Sequence, residues 1–125
     1  MSKEKPDKLL IMMTAGMDKP KIARSALMFA AISAAMDVET TLYAVQDAVD
    51  VLIEGNAEKE APKPKGASLK QRLEEAQKFG VAFDVCETAC QARKIENKDL
   101  VKGAKISGAA TLIDLTLEAD ATLSF

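Results

Sequence analysis

Histidine is absent from the 125-residue chain, and only two cysteines are present. Without histidine the chain can form neither a serine–histidine nor a cysteine–histidine nucleophile pair, nor a zinc site that uses a histidine ligand. Two cysteines are also too few to close a structural zinc site. Any chemistry must therefore use thiol, carboxylate, lysine, tyrosine or backbone groups.

The chain also lacks an excess of positive charge and a long apolar run. Its net charge is −2 and its pI is about 5.2, which argues against a nucleic-acid-binding protein. The longest apolar stretch, residues 26–36, is well short of the roughly 18 residues of a membrane-spanning helix. The N-terminus is charged and carries no cleavage signal. We therefore expect a cytoplasmic protein without a membrane span, with residues 1–7 forming a flexible N-terminus.

Strand and helix patterns alternate along the whole chain, which predicts a single α/β domain over residues 1–125. The expected architecture is a three-layer α/β/α sandwich with a five-stranded, mainly parallel sheet. The predicted strands cover residues 8–14, 39–45, 81–86, 104–106 and 121–125. The predicted helical segments cover residues 20–36, 49–53, 69–79, 88–93, 99–103 and 107–117.

Several helix starts carry capping signals. Asp18 and Ser107 can each cap a following helix, and Ser68 and Thr88 each have glutamine three residues later, the spacing of a capping box. Between two predicted helices, residues 54–66 are polar and charged and contain two prolines. This segment is predicted to be a mobile surface loop.

The first predicted helix is apolar on nearly every side. Besides an alanine-rich stripe suited to packing on a sheet, it carries Ile22, Phe29, Ile32 and Met36 off that stripe. Two explanations stay open at this point. Either a second helix covers this face, or the face is buried between subunits.

The third predicted strand ends in Cys86, and Cys90 follows four residues later. Loops at the carboxyl ends of parallel strands are the usual place for sites, and Cys86 lies where this strand gives way to a helix. The amide groups and dipole of that helix would stabilise a thiolate, whereas the neighbouring Glu87 would oppose its ionisation. Cys90 would lie in the first helical turn, so periodicity does not choose between the two thiols. Both could equally be small buried side chains without a chemical role.

Other residues could complete a pocket around the thiols. Arg93 lies on or near the same side of the helix and could stabilise a thiolate or bind an anionic sulfur substrate; a surface arginine with acidic neighbours is an equal alternative. Thr14, Ala15, Gly16 and Met17 follow the first strand and could offer backbone amides to an anion. The methionines are better explained by core packing than by a metal site, and no metal or cofactor is expected.

The order of motifs resembles the DsrE/DsrF-like family of small sulfur-relay proteins. The first block, residues 68–95, contains Ser-Leu before an amphipathic helix, Phe-Gly-Val, Val-Cys, and a short helix with alanine and arginine. Similar motifs follow over residues 100–112, 117–120 and 123–125. The resemblance implies a three-layer α/β/α domain that assembles into homo- or hetero-oligomers, commonly trimers or hexamers. It also implies a cysteine after the third strand that carries sulfur as a persulfide or thiosulfonate, and Cys86 occupies that place.

The leading hypothesis is a cytoplasmic sulfur carrier or sulfurtransferase-like protein. Cys86 would take sulfur from a donor and pass it to an acceptor thiol, while Cys90 would shield or resolve the intermediate. Arg93 and residues 14–17 would form the rest of the pocket. The expected partners are sulfur donors and acceptors, proteins or small sulfur species, and further copies of the chain. The alternative is a non-catalytic oligomeric ligand-binding or scaffold protein whose cysteines are structural.

Overall fold

A computed structural model of the chain describes residues 6–125. The flexible N-terminus predicted over residues 1–7 therefore lies mostly outside the described residues. Within the described part, no helix combines the length and apolarity needed to cross a membrane.

The sheet has five strands in the order β4-β3-β2-β1-β5, and every neighbouring pair is parallel. The predicted α/β/α class is confirmed. Parallel pairing throughout follows from the helical and 3₁₀ connections, which return the chain to the same edge before each new strand. The strands are β1 (Lys8–Met13), β2 (Glu39–Ala44), β3 (Ala82–Cys86), β4 (Ala104–Ser107) and β5 (Ala121–Ser124).

Within residues 6–125, four α-helices and three short 3₁₀ segments connect the strands. The helices are α1 (Pro20–Ala35), α2 (Leu69–Lys78), α3 (Glu87–Arg93) and α4 (Ala109–Glu118). The 3₁₀ segments are Gln46–Leu52, Ala57–Lys59 and Asn97–Asp99.

The main core lies on one face of the sheet, under α1 and α2. Strand register aligns Ile11, Leu42 and Phe83 in one row across β1, β2 and β3. These side chains are almost fully buried and join one apolar cluster with the inner faces of α1 and α2, including Leu27 and Leu73. Burial of this row by two packed helices fixes which side of each strand faces the core.

The opposite face of the sheet is more polar. Here Met12, Tyr43, Asp84 and Lys105 are aligned across four strands. The β1 residues of this face border a groove with α4, so this is the face that α4 covers. Cys86, two residues beyond Asp84 on the same strand, belongs to this second face.

Three predicted helix caps are wrong. Lys19, not Asp18, precedes α1, because Pro20 is the first helical residue and disfavours helical geometry at the residue before it. Cys86, not Thr88, precedes α3, because the helix begins directly where β3 ends. Gly108, not Ser107, precedes α4, because Ser107 is still in β4.

The short helical predictions also need correction. The segment predicted around residues 49–53 is the 3₁₀ helix Gln46–Leu52, and Ile53 instead forms an antiparallel bridge with Leu100. Residues 99–103 do not form the predicted helical turn. A 3₁₀ turn ends at Asp99, and the chain then reaches a simple turn at residues 102–103. Pairing with Ile53 requires an extended backbone at Leu100, and an extended backbone is incompatible with a helical turn.

Residues 54–66 are largely exposed, as predicted for a surface loop. Two positions depart from that description, because Ala57 and Glu60 are buried at 5% and 2% exposure. The loop is therefore attached to the body of the protein at its middle. Its predicted mobility stays a prediction.

The apolar outer face of α1 is uncovered in the described part of the chain. Phe29, Ile32 and Met36 are 43%, 48% and 68% exposed. Burial beneath another helix of the same chain is thus the wrong explanation for this face. Burial of this face between subunits, the other explanation, stays a prediction.

Candidate functional site

Cys86 ends β3 at the carboxyl edge of the sheet and is the residue from which α3 starts. Its backbone is extended, and its side chain is half-buried. The register places it opposite Ser107, the last residue of β4. The thiol predicted to be functional thus lies at an edge where two strands end and helices begin, with part of its surface open to solvent.

A hydrogen-bonded group of polar side chains lies beside Cys86 on the same face. The Ser107 hydroxyl donates to Asp84 Oδ1 at 2.9 Å. The Tyr43 hydroxyl donates to the carbonyl oxygens of Ser107 and Gly108, at 2.8 and 2.9 Å. Lys105 Nζ is 3.9 Å from Asp84 Oδ1. These contacts fix the corner between β4 and α4 next to the thiol.

Sequence reasoning missed Tyr43 and Asp84. Both are nearly fully buried, at 1% and 4% exposure. A charged residue inside the apolar run Val81 to Cys86 was a usable signal, because a buried carboxylate requires hydrogen-bond partners. The identity of those partners depends on the pairing of β2, β3 and β4, which sequence spacing does not contain.

Tyr43 is electrostatically linked to the thiols. Burial raises the pKa of Tyr43 to about 12, and negative charge at Cys86, Asp84, Glu87 and Cys90 adds to that shift. The phenol therefore stays protonated as a hydrogen-bond donor throughout the physiological range.

Cys90 has a different environment from Cys86. Its side chain is 1% exposed and belongs to the main apolar cluster. Burial raises the pKa of the Cys90 thiol, negative charge at Cys86 raises it further, and Arg93 lowers it. Cys90 is thus buried and kept as the neutral thiol, which disfavours it as a nucleophile.

Arg93 binds two aspartates of the 3₁₀ helix Gln46–Leu52. Its Nε donates to Asp50 Oδ1 at 2.9 Å, and its Nη2 lies 3.3 Å from Asp47 Oδ1. The hydrogen bond to Asp50 is the main reason why the pKa of Arg93 is raised. Of the two sequence interpretations, an arginine with acidic neighbours describes these contacts; binding of a thiolate or a substrate stays a prediction.

The loop over residues 14–17 is tightly held. The Thr14 amide and hydroxyl both donate to the Phe125 carbonyl oxygen, at 2.7 and 3.0 Å. Ala15 is buried, whereas Met17 is half-buried. Gly16 packs against the backbone of Asp47, the same residue that meets Arg93. The structure thus links this loop to Arg93 through Asp47, and the Thr14 amide already has a partner.

Among residues 6–125, no three or more cysteine, aspartate or glutamate side chains form a group that could hold a metal ion. Both cysteines are free thiols.

The fold and site together define a small three-layer α/β/α protein with a half-buried thiol at the carboxyl edge of its parallel sheet. The sequence profile of the DsrE/DsrF-like family matches residues 7–125, which is nearly the whole chain. The chain therefore belongs to the DsrE/DsrF-like family.

Two proteins of Methanocaldococcus jannaschii are similar in sequence. Protein MJ0989 is 29% identical over 103 residues, which cover 82% of this chain and 86% of that protein. Protein MJ0760 is 26% identical over 110 residues, covering 88% of this chain but only 40% of the longer relative. The chain thus spans less than half of the length of MJ0760.

Solved structures share the fold. The ychN protein of E. coli superimposes with a TM-score of 0.79 at 23% identity, covering 95% of this chain and 99% of that one. Protein MTH1491 of Methanobacterium thermoautotrophicum gives a TM-score of 0.67 at 16% identity, with coverage of 95% and 99%. At these identities the likeness establishes the common fold.

Proposed function

We propose that the protein is a sulfur carrier that holds sulfur on Cys86 and passes it to an acceptor thiol. The observation that carries this proposal is the contrast between the two thiols. Cys86 is half-buried at the sheet edge, whereas Cys90 is sealed in the apolar core. A carrier sulfur must be reachable by a donor and partly shielded afterwards, and Cys86 meets both requirements. Membership of the DsrE/DsrF-like family is consistent with a sulfur-relay role.

The proposed transfer needs no histidine and no net redox change. The Cys86 thiolate attacks the outer sulfur of a persulfide donor, so that a new sulfur–sulfur bond forms at Cys86 while the donor's bond breaks and the donor leaves as a thiolate. With thiosulfate as donor, sulfite is the leaving group. An acceptor thiolate then takes the outer sulfur from Cys86, and the Cys86 thiolate is released.

The neighbouring polar groups have supporting roles in this proposal. Tyr43, Asp84 and Ser107 hold the β4–α4 corner against which a persulfide on Cys86 would lie. Cys90 shields the intermediate from within the core. Arg93 and residues 14–17 would form the rest of the pocket, with the arginine held in place by its aspartates.

Intact-mass spectrometry after incubation with polysulfide, thiosulfate or tetrathionate tests the proposal. We expect the chain to gain sulfur, and Cys86→Ser to abolish the gain. Cys90→Ser is the matched control and should retain it, since Cys90 is buried. Absence of an adduct with every donor, or an adduct that persists in Cys86→Ser, would overturn the carrier role.

The second candidate function is a non-catalytic scaffold with structural cysteines. The complete burial of Cys90 in the core favours a packing role for that residue. The same mass measurement separates the candidates, because a scaffold forms no adduct at either cysteine.

We further propose that the chain assembles with copies of itself, as the trimers or hexamers implied by the family resemblance. The support is a groove of about 470 Å³ between the outer face of α1 and the edge strand β5. Its apolar lining includes Phe29, Ile32, Met36 and Leu123, all substantially exposed in the single chain. Exposed apolar surface of this kind marks contact sites.

A cytoplasmic location is part of the same proposal. Sulfur transfer by a thiolate requires reduced cysteines, and reducing compartments maintain thiols in that state. Both cysteines of this chain are free.

A further inference from the structure

A pocket of about 360 Å³ lies between α1 and the segment over residues 64–67 that leads into α2. We call it the basic pocket. Four of its lining side chains are cationic and none is acidic, although the chain as a whole carries a net charge of −2. Its cationic side chains are those of Lys21, Arg24, Lys65 and Arg72, and Met28 and Pro64 add apolar surface.

Two of the cations are held in place by carboxylates behind them. Arg24 is paired with Glu60, whose side chain is fully buried and which also accepts a hydrogen bond from the Leu69 amide at 2.7 Å. Arg72 Nη1 lies 3.2 Å from Glu75 Oε1. The arginine side chains are only 22% and 28% exposed. Their positions are therefore fixed before any ligand arrives.

The other two cations provide the excess charge. Among the described residues, no carboxylate oxygen lies within 4.0 Å of the ammonium group of Lys21 or Lys65. The carboxylates of Glu60 and Glu75 offset the two arginines, so the lysines leave the pocket with net positive charge. Like charges gathered around a concave surface attract a counter-ion of opposite sign.

We propose that the basic pocket binds a small molecule that carries a phosphate or pyrophosphate group. Arginine offers a planar fork of donors that suits phosphate oxygens, and lysine adds a point charge. Met28 and Pro64 offer apolar contact to the uncharged part of such a ligand. The volume falls within the range of small-molecule sites. This site goes beyond the proposed sulfur transfer, because it shares no residue with the surroundings of Cys86.

Isothermal titration calorimetry on the full chain, with inorganic phosphate and pyrophosphate as probes, tests the proposal. We expect pyrophosphate to bind more tightly than phosphate, because it carries more negative charge. Lys21→Gln with Lys65→Gln should weaken pyrophosphate binding about tenfold or more. Both lysines are exposed, so the double variant should keep the thermal stability of the parent.

The matched control is Lys78→Gln with Lys98→Gln, which removes the same charge at exposed positions outside the pocket. It should change the affinity by less than about twofold, since distant exposed charges are screened. Equal weakening in both double variants would mean general attraction to a positive surface and would overturn the site. No heat with either phosphate probe would overturn it as well.

Pyrophosphate binding by two further variants distinguishes this site from the thiol chemistry. Arg72→Gln should also weaken pyrophosphate binding, which supports the site even if the lysine double variant is unstable. Cys86→Ser should bind pyrophosphate like the parent, so a failed sulfur transfer leaves this result intact. Tighter binding of thiosulfate than of pyrophosphate would overturn the phosphate assignment.

Discussion

Cys86 and Cys90 are identical residues four positions apart, and their surroundings make them chemically different. Cys86 lies where β3 ends, so its side chain reaches the sheet edge. Cys90 is one helical turn further on and is buried in the main apolar cluster. Burial favours the neutral thiol at Cys90 and removes it from contact with donors. The reactivity of each thiol therefore depends on which side of α3 faces the core.

Tyr43 allows a direct spectroscopic prediction, since it is the sole tyrosine of the chain. Its pKa is raised from 10.0 to about 12, mainly by burial. The folded protein thus holds the phenolic proton to higher pH than the unfolded chain does. The free energy of unfolding should fall as the pH rises from 10 towards 12. Tyrosinate absorbance of the native protein should appear at a higher pH than that of a free phenol. Ultraviolet titration of the native protein, with urea unfolding at each pH, measures both.

Tyr43→Phe provides the control for that measurement. The variant loses the hydrogen bonds to the carbonyls of Ser107 and Gly108, so we expect a cost of about 1 kcal/mol at neutral pH. Its stability should also lack the part of the fall between pH 10 and 12 that Tyr43 causes in the parent. Tyrosinate absorbance in the native parent at the ordinary pH of a free phenol would contradict the burial argument.

At the scale of elements, α2 is the helix whose capping residue was predicted correctly, and the reason is local. The Gln71 amide donates to Ser68 Oγ at 3.2 Å, and the Ser68 amide donates to Gln71 Oε1 at 2.8 Å. Both partners lie within one turn of sequence, so spacing alone reveals them. The same spacing at Thr88 fails, because β3 runs directly into α3 and leaves no room for a separate cap.

The turn between β1 and α1 depends on a glycine. A Cβ atom at Gly16 would lie 2.3 Å from the carbonyl oxygen of Asp47, which is backbone and cannot simply rotate away. Gly16→Ala should therefore cost about 2 kcal/mol or more in the free energy of unfolding. Gly66→Ala is the control, since its Cβ would meet nothing within 4 Å. Urea denaturation checks both, and equal stability of the two variants would refute the close approach.

The segment before α2 is fixed by a buried ion pair. Glu60 joins Arg24 of α1 to the amide at the start of α2. Glu60→Gln keeps an acceptor for that amide but removes the charge opposite Arg24, and should cost about 3 kcal/mol. Glu58→Gln, which breaks only an exposed pair with Lys70, should cost less than about 1 kcal/mol. Thermal or urea unfolding distinguishes the two variants. Unchanged stability of Glu60→Gln would show that the Arg24–Glu60 pair does not anchor the segment before α2.

At the scale of the whole molecule, the sheet order explains why apolar surface stays exposed. β5 returns to the outside of β1, and α1 does not extend over it, so Leu123 is 41% exposed beside α1. Phe29, which lines the groove between them, stacks on Phe125 with the ring centroids 5.7 Å apart. Within residues 6–125, no further layer covers that groove.

Light scattering on a size-exclusion column tests the proposed assembly. We expect a mass larger than the 13.4 kDa of one chain. Ile32→Glu should shift the protein to the monomer, because it places a charge in the apolar groove. Ile22→Glu is the control, since Ile22 is similarly exposed on α1 but does not line the groove. A parent that elutes as a monomer would refute the assembly.

The sequence alone determined the order and type of the main elements, because apolar periodicity, alanine content and the Ser68 capping box act over a few residues. It also placed Cys86 at the end of the third strand. The tertiary structure decided the contacts that depend on pairing between distant segments. It buried Cys90 rather than Cys86, tied Arg93 to Asp47 and Asp50, and brought Tyr43 to the carbonyls of Ser107 and Gly108. Those contacts join residues far apart in the chain, so only the parallel strand order and its register could set them.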